Sequence, residues 1–220
     1  MLVEIFLDIE ATGPDPEKDR IFQLAAVASV EKTRVGTPFS AFVNPQMPIS
    51  PIAQKITGKS TEDVQTAPLL GVVLETFFIW LNSIRSTNSC VFIAHSGTRF
   101  DFLILWKEMH RLGYDVEETM RRIGWAYIFD TYLWLKKFAP RQKLIWIKRK
   151  PSFRLSNLHL ALCGHHIANA HDALADCWAL FHVCQALPDL IFSTTTCFDA
   201  QRFLSNKRFH SSWDVHNRTY

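Results

Sequence analysis

The chain has 220 residues, 48% apolar and 20% charged, with a net charge of +3 and a pI near 8.6. That is enough for one well-buried domain and short for two, and the composition excludes disorder except toward the ends. No apolar run reaches the roughly 18 residues of a membrane span, and MLVEIFLDIE has neither the basic start nor the small-residue cleavage site of a secretory signal.

Residues 2–7 are an apolar run that reads as a buried strand ending at Asp8. The following ATGPDPEKDR is a loop broken by Gly13, Pro14 and Pro16. Residues 21–30 and 38–43 are two further strands, expected as antiparallel neighbours of the first. The prolines of NPQMPISP exclude regular structure there, residues 51–57 form a short helix, and ITGKS is a turn closed by Gly58. A helix from Pro68 to Ile84, a short strand over 91–94 and a helix from Phe100 to Leu112 follow, the last stopped by Gly113. Residues 124–130 are a strand ending in Asp130, and 131–138 a helix. Ser156 or Asn157 lies near the start of a helix ending at Gly164, and residues 172–187 form the final helix, closed by Pro188. Strands first, then helices alternating with shorter strands, predict an α/β fold with a mixed sheet flanked by helices. The domain is expected over 1–188. Residues 189–220 form a C-terminal extension, partly docked through Phe192, Phe198, Phe203 and Trp213 and able to recruit a protein partner, with a loose end over the last ten residues.

Two compositional features bear on function. Cys90, Cys163, Cys177, Cys184 and Cys197 are odd in number and lack a CxxC, which suits reduced thiols in a nuclear or cytoplasmic protein. A zinc site from Cys163, His165, His166 and Cys177 matches no familiar ligand spacing. From Lys136 to Arg154 the chain carries eight Lys or Arg and no acid, interleaved with Phe138, Trp146 and Phe153. Such a stretch is either a solvated loop with anchoring aromatics or a surface that follows phosphates and stacks on bases.

Three separated patches carry the candidate chemistry. Asp8 and Glu10 are two apart near a strand end, so both carboxylates face one space. They would repel each other there, and Mg²⁺ or Mn²⁺, hard cations that prefer oxygen, would remove the conflict. Alone, the pair reads equally as a turn cap and a solvated acid. Asp101 opens a helix, where the helix dipole favours an acid, yet Phe100, Phe102, Leu103 and Leu105 place it toward a cavity. His171 precedes the last helix and Asp176 lies in its early turns, with Asp172 the natural N-cap. Imidazole titrates near neutrality and serves as a general base, although a lone histidine is more often simply at the surface. Taken together, four acids and one imidazole provide for two cations about 4 Å apart that activate water and stabilise the leaving oxyanion of a phosphodiester.

LDIEATG, AHSGTRFDFLIL and HDALADCWAL resemble, in order, spacing and the H-x₄-D form of the third, the motifs of the DEDDh family of 3′–5′ exonucleases. The resemblance covers about residues 1–187 and includes ITGKS. It implies a ribonuclease-H-like fold, two Mg²⁺ or Mn²⁺ ions, and stepwise release of 5′-mononucleotides from a 3′ end. By position, Asp8, Glu10, Asp101 and Asp176 would hold metal and His171 would be the base. Ala11 and Thr12 would approach the terminal nucleotide through the backbone, Ile56 would lie against its base, and His95 would have a structural or substrate-contacting role. Ser96 stands where family members often carry Asn. QLAAV, ALFHV and the Phe-rich tail around Cys197 are also similar to the exonuclease-like region of one promyelocytic leukaemia protein isoform, in which the catalytic acids are largely lost. The expected substrate is DNA, single strands preferred. An RNA exonuclease of the same chemistry and a non-catalytic nucleic-acid-binding relative are the alternatives.

Overall fold

The computed structural model describes residues 2–139, 144–187, 190, 192 and 197–204. Its elements in chain order are β1 (Leu2–Ala11), β2 (Ile21–Val30), β3 (Thr33–Phe42), α1 (Pro51–Thr57), α2 (Thr61–Val64), α3 (Leu70–Arg85), β4 (Ser89–Ala94), α4 (Asp101–Arg111) and α5 (Val116–Ile123). There follow β5 (Trp125–Asp130), α6 (Thr131–Phe138), β6 (Trp146–Ile147), β7 (Lys150–Pro151), α7 (Leu155–Cys163), α8 (Ala173–Gln185), β8 (Phe198–Asp199) and α9 (Ala200–Leu204).

Six strands form one mixed sheet in the order β3-β2-β1-β4-β5-β8. β1 is antiparallel to β2 and parallel to β4, and β4 is parallel to β5. β3 pairs with β2 rather than with β1, which corrects the expectation that both strands would flank the first. β1 also runs on through Asp8 and Glu10 to Ala11, four residues beyond the apolar run that announced it. β2 supplies the reason: its register with β1 continues from Asp8↔Ala25 through Glu10↔Gln23.

Alternation along β1 divides the two faces of the sheet. Val3, Ile5, Leu7 and Ile9 enter the larger core under α3, α4 and α5. Phe6 enters the second core, built with Leu158 of α7 and with Ala173, Cys177, Leu180 and Cys184, which form a stripe on α8. Asp8 and Glu10 share the face of Phe6, so the strand delivers them toward α8. Small residues in β2 let that helix come close: the Cys177 thiol donates to the Ala25 carbonyl at 3.3 Å.

Local chemistry explains the helices, including two with no counterpart in the sequence reading. α5 starts at the Asp115 cap, which accepts from Glu118 N, and stops at left-handed Gly124. α2 carries a reciprocal capping box between Ser60 and Asp63. Within the basic stretch, β6 and β7 form a small antiparallel ribbon turned by Lys148 and Arg149, both at positive φ. In the extension, β8 pairs with β5, while Ala200 and Phe203 are buried in the larger core. Pro188, Trp213 and the last ten residues lie outside the described residues.

Asp130 holds together the ends of β4 and β5. Its carboxylate accepts from Tyr132 N and Leu133 N at the start of α6, and from Ser96 N, Thr98 N and the Thr98 hydroxyl in the turn that leads to α4. Gly97 closes that turn so tightly that a Cβ there would lie 2.5 Å from the Ala94 Cβ. Asp130→Ala should strand these donors and cost about 3 kcal/mol, read as a lower urea midpoint at unchanged slope.

Candidate functional site

The site forms where β1 outruns its parallel neighbour. The β1–β4 register ends at Phe6↔Ile93, which leaves the β4-side edge of β1 without a strand partner from Leu7 onward. Asp101, the first residue of α4, takes up one exposed donor: its Oδ1 accepts from Ile9 N at 3.1 Å. Asp101 is only 6% exposed. The backbone group it binds lies between Asp8 and Glu10, so the third acid is tied to the strand that carries the first two.

α8 supplies the fourth acid. Asp172 caps the helix by accepting from Ala175 N at 3.2 Å, and Asp176 follows one turn later. The His171 N–H donates to Asp176 Oδ2 at 3.0 Å. His171 is exposed and has φ +68°, a left-handed conformation that strains a non-glycine residue. Ligand atoms of Glu10, His171 and Asp176 all lie within 4.8 Å of one another.

Electrostatics bind these acids into one unit. Burial raises the Asp8 carboxyl well above its ordinary value, and Asp101, Asp176, Glu10 and Asp172 raise it further. Burial, then Asp176, Asp101 and Asp172, push Glu10 up to about 9. Asp176 is also raised by burial, against the lowering effect of the His171 N–H. Every contribution at Asp8 and Glu10 has the same sign, so a cation would relieve all of them together. Oxygen donors on a shared face suit a hard divalent ion, and Asp8, Glu10, Asp101 and Asp176 fit that role with the His171 imidazole alongside. Among the described residues, Glu10, His171 and Asp176 are the one group of three or more potential ligands within reach of a single ion. The zinc set is not assembled: the Cys177 thiol is buried against Ala25.

The remaining sequence candidates occupy different settings. Ala11 is buried at the bulge that ends β1. Thr12 donates its N–H to Arg20 O and accepts from Ser50 N, both at 2.9 Å, so its backbone already serves the loop. Ile56 is half-buried on α1. His95 contacts Thr131 Oγ1 at 2.9 Å through Nδ1 and the Phe153 carbonyl at 2.7 Å through Nε2. Burial holds its imidazole below the ordinary value, so Nε2 donates to Phe153 and Nδ1 accepts. Ser96 has φ +66°, a region Asn enters more readily than Ser, which gives a backbone reason for Asn at this position. Gln23, which belongs to none of the three motifs, is 2% exposed within an almost wholly apolar strand. A lone buried amide there was the available signal.

A linkage prediction follows from the raised carboxyls. Between the ordinary Glu value of 4.5 and about 9, the folded chain keeps a proton on Glu10 that the unfolded chain has released. Cation-free protein therefore loses stability as pH rises through that window. Divalent cation must displace those protons, so the rise in Tm on adding Mn²⁺ should be larger at about pH 8.5 than at about pH 6. Asp8→Asn should melt higher than the parent in chelator and lose most of the Mn²⁺ response. Thermal melts with and without chelator read both effects.

The exonuclease profile of the RNase T family matches residues 5–184. Bovine three-prime repair exonuclease 1 is 27% identical over 209 residues, covering 84% of this chain and 63% of the relative. The PolC-type DNA polymerase III of Caldanaerobacter subterraneus is 35% identical over 116 residues, covering 53% of this chain and 8% of the relative. The chain thus spans less than two thirds of these relatives' lengths. Among solved structures, exonuclease I of E. coli in complex with a dT13 oligonucleotide aligns with a TM-score of 0.69 at 24% identity, over 82% of this chain and 40% of the other. Exonuclease I of Methylocaldum szegediense aligns with a TM-score of 0.70 at 24% identity, over 84% of this chain and 40% of the other, so both share its ribonuclease-H-like fold. With a profile match over most of its length and the acids of all three motifs gathered around one strand end, the chain belongs to the RNase T family of DEDDh 3′–5′ exonucleases.

Proposed function

We propose that the protein is a metal-dependent 3′–5′ exonuclease that removes nucleotides one at a time from the 3′ end of DNA, single strands preferred, releasing 5′-mononucleotides. The observation that carries this reading is the convergence of Glu10, Asp176 and His171 within 4.8 Å, beside Asp8 and Asp101. Two Mg²⁺ or Mn²⁺ ions, when bound, supply the Lewis acidity and the lowered water pKa that phosphodiester hydrolysis needs. Asp8, Glu10, Asp101 and Asp176 would hold them. The His171 imidazole, on its exposed turn, takes the proton of the attacking water. Three buried thiols, at Cys90, Cys177 and Cys184, agree with a reducing nuclear or cytoplasmic setting.

DNA as substrate is supported by the dT13 bound to E. coli exonuclease I and by the three-prime repair exonuclease relatives. The basic ribbon of β6 and β7 supports a nucleic-acid partner. Trp146 and Ile147 are 52% and 47% exposed, and Lys148, Arg149 and Lys150 line its turn and return strand. Its base is fastened toward the site, because Phe153 packs edge-on against Tyr132 and its carbonyl accepts from His95. His95 thus ties the ribbon to the end of β4, a positioning role for the substrate surface. Ile56 would offer an apolar contact to the terminal base, its helix tied to the end of β1 near Ala11 by the Ser50 N–H on the Thr12 carbonyl.

A 5′-labelled single-stranded DNA with Mg²⁺ should shorten as a one-nucleotide ladder, faster than duplex DNA or RNA of the same sequence. Preferential digestion of RNA would transfer the reading to an RNA exonuclease, and a parent protein that binds nucleic acid without cleaving it would leave a binding module. Asp8→Ala should abolish cleavage, and His171→Ala should lower kcat by roughly 10²–10⁴-fold. Lys148→Ala with Arg149→Ala should raise KM, leave kcat near the parent's, and flatten the salt dependence of binding by about 1.4 logarithmic units per decade.

A further inference from the structure

We infer that Gln23 is a positioning residue for the proposed hydrolysis: it clamps the N-terminus of α8, and through it the turn bearing His171, to the strand beside Glu10. The inference rests on the nuclease reading above and adds a residue that touches neither substrate nor ion. Gln23 lies directly across the β1–β2 ladder from Glu10, on the same face. At 2% exposure its amide must find partners inside the protein. It finds two on consecutive residues of one helix start: Nε2 donates to Asp172 Oδ2 at 2.9 Å, and Oε1 accepts from Ala173 N at 3.2 Å. The amide has one permissible orientation, since the Asp172 carboxylate only accepts and the Ala173 N–H only donates.

The consequence falls on His171. Its φ of +68° strains the turn, which helix propensity alone does not hold in place. Side-chain bonds hold it from both flanks. On one side the His171 N–H is fixed to Asp176 at 3.0 Å. On the other, Asp172 uses Oδ1 to cap Ala175 and Oδ2 to receive Gln23. Releasing the Gln23 side frees the turn to relax, and a displacement of about 1 Å in a reacting group costs on the order of 100-fold in rate.

Three variants separate positioning from bulk stability. Gln23→Met keeps the volume and loses both bonds. Gln23→Glu keeps the acceptor for Ala173 N and opposes a carboxylate to Asp172. Adding Asp172→Asn to Gln23→Glu exchanges donor and acceptor while Asn still caps the helix. On 5′-labelled single-stranded DNA with Mg²⁺, each single variant should lose roughly 10–100-fold in kcat with KM within about twofold, and the double variant should recover to within about threefold of the parent. Amide exchange over residues 171–176 should accelerate in the single variants and return in the double, by more than exchange over α3 and β4, which reports any global loss of stability. An active parent whose single variants keep kcat within about twofold overturns the clamp. A parent without Mg²⁺-dependent cleavage overturns the nuclease reading instead, and the exchange data then decide the clamp alone: unchanged protection in both single variants refutes it.

Discussion

Carboxylates at Asp8, Glu10, Asp101 and Asp176 occupy one poorly solvated space, and the architecture around them keeps them from moving apart. Left free, like charges in such a space would separate or take up protons, and the raised values of Asp8, Glu10 and Asp176 record the second response. Separation is blocked by packing. β1 is buried on both faces and hydrogen-bonded on both edges over its first half. Asp101 is fixed to Ile9 N, and the adjoining Cys177 contact seats Asp176 against β2. Stability given up here is the means by which the fold stores affinity for cations, a familiar exchange between stability and function.

The loop after β1 extends this rigid frame to α4. Buried Glu108 pairs with Arg20 at 3.1 Å and with Arg111, while Arg111 also donates to the Asp19 and Pro16 carbonyls at 3.0 and 3.1 Å. Asp19 accepts from the Thr12 hydroxyl, and a Cβ on Gly13 would sit 2.6 Å from the Asp19 carboxylate, so glycine is the residue that lets the loop close. Glu10 and Asp101 are therefore anchored to each other twice, through Ile9 at one end of α4 and through this network farther along it. Removing one partner from such a buried group leaves the other charge uncompensated, which is why the network acts as a unit.

Much of this was readable from the residues. The three acid-bearing motifs, the course of β2, α1, β5 and α6, and the mixed sheet between helices follow from apolar runs, prolines and glycines. What escaped depended on partners distant in sequence. An apolar run ends at Leu7, but the strand ends where β2 stops pairing, so the acids themselves are strand residues. β3 joined β2 because strands adjacent in sequence pair through the short turn at Glu31 and Lys32, both at positive φ. α5 is polar over half its length, and its caps at Asp115 and Gly124 carried more information than its apolar spacing. Gln23 looked like an interruption in an apolar strand because its two partners lie about 150 residues away.

The site thus has two parts with different mechanical character. The acids stand on a central strand, a helix start and a helix packed onto alanines, where displacement of any one moves core side chains. His171 stands on a strained turn closed by the Asp172 N–H on the Asn169 carbonyl at 3.1 Å and tied to its surroundings by side-chain hydrogen bonds. Cation binding needs donors preset within tenths of an ångström, since each oxygen must reach its place without reorganisation. Proton transfer likewise needs the imidazole held in place, and here hydrogen bonds onto the turn, more than packing, do the holding. A backbone conformation that costs energy at rest is kept by these bonds without disturbing the acids beside it. The left-handed turn and the buried carboxylates are in this sense one design: packing fixes the charges, and a hydrogen-bonding side chain from the neighbouring strand fixes the helix start beside the imidazole.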